Sequence, residues 1–116
     1  MSDETVLLVF TNAPSAESAR HIARSLVDAR LAACVNILPE CQSIYRWQGA
    51  VEEAAELPVM IKTTAAHYQA VEAAIRLAHP YELPEIVAVP VERGLPGYLA
   101  WVAAETRHEP SAPPEA

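Results

Sequence analysis

The chain is poor in the residues that usually announce a chemistry. Of its 116 residues, two are cysteine, three glycine and one phenylalanine. Two cysteines cannot build a disulfide framework or a four-thiolate zinc site. With three glycines there is no glycine-rich phosphate loop and no Gly-x-Ser-x-Gly elbow, and no nucleophile stands beside a matching base. Catalytic residues are therefore not expected. Basic residues are scarce as well: 8 Lys and Arg stand against 15 Asp and Glu, a net charge of −7. Phosphate binding needs a basic surface, so this balance argues against nucleic acid as a partner and suits cations or neutral small molecules. No apolar run approaches the ~20 residues of a membrane-spanning helix. Met1-Ser2-Asp3-Glu4 carries no positive charge and does not read as a secretory leader. The expectation is a soluble, cytoplasmic protein with no membrane contact.

What is present is a hydrophobic content of 52%, enough to drive one domain to fold without metal or disulfides. That domain is expected over residues 1–107. The remainder, 108–116, has three prolines and no core residue, and is expected to be disordered. Cys34 and Cys41 lie seven positions apart. In one extended strand they would occupy opposite faces with Cα atoms roughly 23 Å apart, beyond the ~5–6 Å of a disulfide. Free thiols suit a reducing cytoplasm.

Residues 5–10 form a continuous apolar, β-branched run, which predicts a central strand buried on both faces. Ser15 is placed to cap a helix whose stripe is Ala19, Ile22, Ala23, Leu26, Val27 and Arg30. Strands are expected over 33–38 and 42–47, with Pro39 at an edge or bulge. Gln48-Gly49 supplies a turn into a long strand over 50–64, on which Glu52, Glu53 and Glu56 mark an exposed stretch. So long a hairpin should project beyond the body of the domain. Thr64 is expected to cap a second helix carrying Tyr68, Val71, Ile75 and Ala78, and Pro80 stops it. A strand over 85–91, edge-like at Pro90, and a short helix after Pro96 complete the order. This is β-α-β-β-α-β plus one helix: an α+β, ferredoxin-like split βαβ sandwich with two helices on one face.

One segment stands apart. His79-Pro80-Tyr81-Glu82-Leu83-Pro84-Glu85-Ile86 holds an imidazole, a phenol and two carboxylates between two prolines that keep the backbone extended. Such stiffness lowers the entropy cost of presenting side chains to a partner, although a linker anchored by Tyr81 and Leu83 would show the same pattern. His79 and Glu82 are candidate metal ligands, since borderline divalent ions accept mixed imidazole and carboxylate sets. Tyr81 and Glu85 are candidates for contacting a small ligand. Tyr45 and Trp47, near the hairpin tip, would be an exposed apolar patch in a lone chain, so another subunit or a ligand should cover them. Lys62 offers a cation beside Glu56 or to a bound anion; an ordinary lysine snorkelling over the sheet is the alternative.

Four collinear motifs carry a family resemblance: Leu31-Ala32-Ala33-Cys34-Val35-Asn36-Ile37, Ser43-Ile44-Tyr45-Arg46-Trp47-Gln48-Gly49, Ile61-Lys62-Thr63 and the segment from His79 to Ile86. With the closing Tyr98-Leu99-Ala100-Trp101, they resemble the CutA family, the divalent-cation tolerance proteins. The resemblance implies a ferredoxin-like protomer in a compact PII-like homotrimer and a link to copper (Cu2+) and other divalent cations. No catalytic activity comes with it. The family's suggested copper ligands fall here on Phe10, Ala78 and His79, so His79 alone carries over. The leading expectation is a trimeric protein that holds a divalent metal or small ligand in clefts between subunits. A PII-like regulatory protein, or a small hydrolase using His79 and Glu85, stand as alternatives.

Overall fold

The computed structural model describes residues 1–107; the tail expected at 108–116 lies outside the described residues. The chain runs β1 (Val6–Ala13), α1 (Ala16–Asp28), β2 (Cys34–Ile37), β3 (Cys41–Trp47) and β4 (Ala50–Thr64). A 3₁₀ turn, Ala65–His67, then leads into α2 (Tyr68–Ala78), β5 (Val87–Pro90) and α3 (Pro96–Glu105). One antiparallel sheet, ordered β2-β4-β1-β5 with β3 also on β4, gives the split βαβ architecture.

The core lies on one face of the sheet. Leu7, Val9 and Ala13 of β1 meet Val59 and Ile61 of β4, and Ala19, Ile22 and Leu26 of α1 with Val71 and Ile75 of α2 close over them. Each fully buried Ile or Leu stabilises the fold by about 1.5–3 kcal/mol. Ser15 caps α1 by accepting the Ser18 N–H at 3.1 Å. Helix α2 stops where proline demands: His79 is extended at φ −83°, ψ 137°. Pro90 lies in β5, an edge strand, where its missing N–H breaks no ladder. Helix α3 begins on Pro96 and packs against β1 and β4.

Four expectations are corrected. Strand β1 runs on to Ala13, and only its helix-side face is uniformly buried; Leu8, Phe10 and Asn12 are half-buried, because α1 and α2 cover one side alone. Val27 and Arg30 leave the α1 stripe: Val27 is exposed, and Arg30, at φ 60°, donates its guanidinium to the Glu105 carbonyl at 3.2 Å. Thr64 makes no cap through its side chain; its hydroxyl pairs with His67 Nδ1 at 2.9 Å. Finally, the bulge expected at Pro39 is present, and it overturns the opposite-face placement of Cys34 and Cys41. Cys34 faces Lys62 and Ile37 faces Val59, yet Cys41 faces Glu56 where an unbroken ladder would set Ala55. One extra residue is held in the bend around Pro39, a β-bulge. The slip reverses which side chains face which way, so Cys34 and Cys41 share a face instead of opposing. Both thiols are free, and their β4 partners are six residues apart, about 20 Å along the strand.

The β3–β4 hairpin turns through Gln48 (φ 50°) and Gly49 (φ 84°), the paired left-handed conformations that match the twist of a two-residue hairpin. Its length shows in the molecular dimensions of 57 × 32 × 23 Å. The radius of gyration is 15.7 Å, against about 13 Å for a compact chain of this size. The hairpin therefore extends away from the core.

Candidate functional site

The bulge decides which hairpin side chains can form a site. Directly opposed residues share a face, so Cys41 lies on the side of Glu56, and alternation puts Ser43, Tyr45 and Trp47 there too. Asn12, opposite Pro58, belongs to the same face, away from α1 and α2. Without the extra residue, Tyr45 and Trp47 would turn to the other side.

The second wall is the rigid segment after α2. The His79 ring is 7% exposed and ties this segment to the end of β1. Nε2 lies 2.5 Å from the Asn12 carbonyl, and Nδ1 lies 3.1 Å from the Tyr81 backbone nitrogen. A carbonyl only accepts and a backbone N–H only donates, which assigns the proton to Nε2 and the lone pair to Nδ1. The Asn12 side chain donates to Glu85 Oε1 at 3.0 Å, and the Tyr81 hydroxyl donates to Glu56 Oε2 at 3.1 Å. The Tyr81 ring leans on His79 with centroids 4.7 Å apart. One chain of contacts thus links Glu85, Asn12, His79, Tyr81 and Glu56 across three elements.

Between these walls lies a cleft of about 860 Å³, within the usual range of small-molecule sites. Tyr45, Trp47 and Tyr81 supply aromatic surface; Glu56, Glu82 and Glu85 supply carboxylates. Burial, then the hydrogen bond to Glu56 and the charge on that carboxylate, raise the Tyr81 hydroxyl above its ordinary value near 10.0. Tyr81 is accordingly a neutral donor at physiological pH.

Of the residues singled out from sequence, Tyr45, Trp47, Tyr81, Glu82 and Glu85 converge on this cleft. Two do not. Lys62 turns to β2, where its ammonium donates to Asn36 Oδ1 and lies 3.9 Å from Cys34 Sγ. His79 stands behind the wall with both nitrogens engaged, so no lone pair is left for a metal, and the expected His79–Glu82 ligand pair is not assembled. Among the described residues no group of three His, Cys, Asp or Glu side chains is placed to hold a metal ion. The residues present do not fit a tightly bound divalent ion. Asn12, Ser43 and Glu56 were missed in the sequence. Glu56 reads there as exposed beside Glu52 and Glu53, but it is buried, with Tyr81 bonded to its carboxylate. Asn12 had a weak signal, since alternation from Val9 through Thr11 to Ala13 extends the strand and aims it to the opposite face.

Residues 7–105 match the family model described as CutA1 divalent ion tolerance protein. The divalent-cation tolerance protein CutA of Thermus thermophilus is 48% identical over 99 residues, which cover 85% of this chain and 96% of that one. Mouse protein CutA is 46% identical over 98 residues, 84% of this chain; the chain spans 55% of the mouse protein's length. The crystal structure of CutA from Xylella fastidiosa superposes with a TM-score of 0.87 at 47% identity, covering 91% of this chain and 100% of that one. CutA from Archaeoglobus fulgidus, described as a periplasmic divalent cation tolerance protein, gives 0.85 at 35% identity, covering 88% and 99%. With sequence, topology and the collinear motifs in agreement, this chain belongs to the CutA1 divalent ion tolerance family.

Proposed function

We propose that the chain is a non-catalytic, homotrimeric binding protein of the divalent-cation tolerance type, cytoplasmic, whose ligand sits in the cleft between the β3–β4 hairpin and the 80–85 segment. The observation that carries this reading is the cleft itself: a large, aromatic and carboxylate-lined cavity whose walls are held by the Glu85–Asn12–His79–Tyr81–Glu56 contacts. Assembly is supported by the apolar surface a single copy leaves open. Ile44 and Val51 flank the hairpin, Val87 and Val89 lie on the sheet face away from α1 and α2, and Tyr98 and Trp101 stack on α3. Soluble monomers rarely leave so much exposed. The unpaired thiols of Cys34 and Cys41 favour a reducing compartment. No helix among the described residues is long and apolar enough to cross a membrane.

The divalent-cation link enters through the family. In this cleft a Cu2+ ion would rest on scattered carboxylates, with His79 available only if it released Asn12 or Tyr81. Copper binding is therefore weak and secondary in this reading. Light scattering on the purified chain should return three times 12.6 kDa, about 38 kDa. Calorimetry with Cu2+ should show no tight site. A monomer at micromolar concentration would overturn the assembly, and Cu2+ binding at nanomolar strength would overturn the placement of the ligand.

A further inference from the structure

We propose that this cleft takes a small organic cation, an alkylammonium or guanidinium group, in preference to a bare metal ion, an anion or a neutral molecule. The inference rests on the cleft being the binding site and names the chemistry of its ligand.

Four observations converge. First, among the described residues no Lys, Arg or His side chain lines the cleft, whereas Glu56, Glu82 and Glu85 all do. An anion would meet three carboxylates there and no opposite charge. Second, Glu56 is 7% exposed, and the Tyr81 hydroxyl is its one hydrogen-bond partner among the described residues. The ion pair found among those residues, Arg30 with Glu105, lies elsewhere. Its second oxygen opens on the cleft with no countercharge beside it, and a cation entering there pairs with a largely desolvated carboxylate. Third, the three carboxylates are spread around a volume of about 860 Å³ and form no metal-holding group. Hard divalent ions need their oxygens gathered at ~2.0–2.6 Å. A polyatomic cation carries its N–H donors several ångströms apart and can reach separated carboxylates. Fourth, the walls between the carboxylates are aromatic: Tyr45, Trp47 and Tyr81 are 44%, 39% and 37% exposed. Ring faces attract ammonium and guanidinium groups while covering their alkyl parts. The chain's net charge of −7 draws cations toward the cleft from a distance.

The test is a titration of the full-length chain, followed by calorimetry and by tryptophan emission, to which Trp47 in the cleft and Trp101 on α3 both contribute. The probes are 1,4-diaminobutane and agmatine, with 1,4-butanediol as a neutral isostere, succinate as an anion and Zn(II) as a metal. The amines should bind saturably and quench Trp47, and the diol and succinate should not. Glu56→Gln should weaken amine binding about tenfold, the effect of removing a charge-assisted contact. Glu82→Gln should weaken it by about threefold, consistent with an exposed partner. Glu82 is exposed and makes no hydrogen bond among the described residues, so this variant keeps the test valid if Glu56→Gln fails to fold. Amines binding no better than the diol, or equally well to wild type and both variants, would overturn the proposal. So would Zn(II) displacing the amine at concentrations below the amine's own. Saturable binding of succinate or the diol in their place would overturn it while leaving the cleft as the binding site. Silence from all five probes would overturn both.

Discussion

Removing a single oxygen atom, in Tyr81→Phe, separates the bond to Glu56 from everything else this ring does. The phenyl group still leans on His79, and the backbone N–H of residue 81 still donates to Nδ1. What disappears is one donor to a buried carboxylate, across 3.1 Å. Hydrogen bonds to charged groups contribute about 1.5–3 kcal/mol. This one is longer than the ~2.5–2.7 Å of a strong hydroxyl–carboxylate bond, and the cleft lets water reach the vacated oxygen. Both facts place the loss at or just below the lower limit of that range, about 1–1.5 kcal/mol. Urea unfolding at fixed protein concentration is the assay, because the stability of an oligomer depends on concentration. A cycle with Glu56→Gln should give a coupling of about 1 kcal/mol. The pH dependence adds a second readout. Burial and Glu56 raise the hydroxyl's pKa in the folded state above its ordinary 10.0. A raised value means that the contribution is complete below the unfolded pKa and is lost as pH rises through the folded one. The gap between wild type and Tyr81→Phe should therefore hold up to about pH 10 and close above it. A Tyr81→Phe protein within about 0.3 kcal/mol of wild type, or a gap that stays constant through that range, would refute the assignment.

Three further outcomes follow from the same geometry. His79→Ala should destabilise the fold by about 2–4 kcal/mol, since it orphans the Asn12 carbonyl and the Tyr81 N–H and leaves a cavity; chemical denaturation checks this, and a neutral result would mean that the ring ties nothing together. Trp101→Ala, which removes an exposed ring of the apolar surface on α3, should weaken association by about 3 kcal/mol before it harms the protomer; a dilution series by light scattering with an unchanged trimer would contradict it. Deleting Glu40, exposed within the bend between β2 and β3, should restore an even ladder and turn Tyr45 and Trp47 to the wrong face. Far-ultraviolet circular dichroism should stay near wild type while assembly and amine binding are lost; retention of both would show that the bulge does not set the site.

What the sequence determined by itself is whatever has its cause within a few residues. The α1 stripe, the Ser15 cap, the Gln48-Gly49 turn, the stop at Pro80 and the edge strand around Pro90 all follow from periodicity, missing N–H groups or tolerated left-handed φ values. The aromatic and carboxylate content of the site was legible for the same reason, because Tyr45, Trp47, Tyr81, Glu82 and Glu85 sit in conspicuous local settings. The rest depended on distant partners. Glu56 looks like its exposed neighbours until Tyr81, 25 positions away, is bonded to it. His79 looks like a ligand until Asn12, 67 positions away, occupies Nε2. Lys62 looks available until Asn36 takes its ammonium. Above all, Pro39 signals a bulge, but its one-residue shift is read only against the ladder of β4. Strand side chains alternate with period two, so a single-residue slip moves every aromatic group to the opposite face. Only the pairing of β3 with β4 settles which face that is, and with it whether the cleft exists.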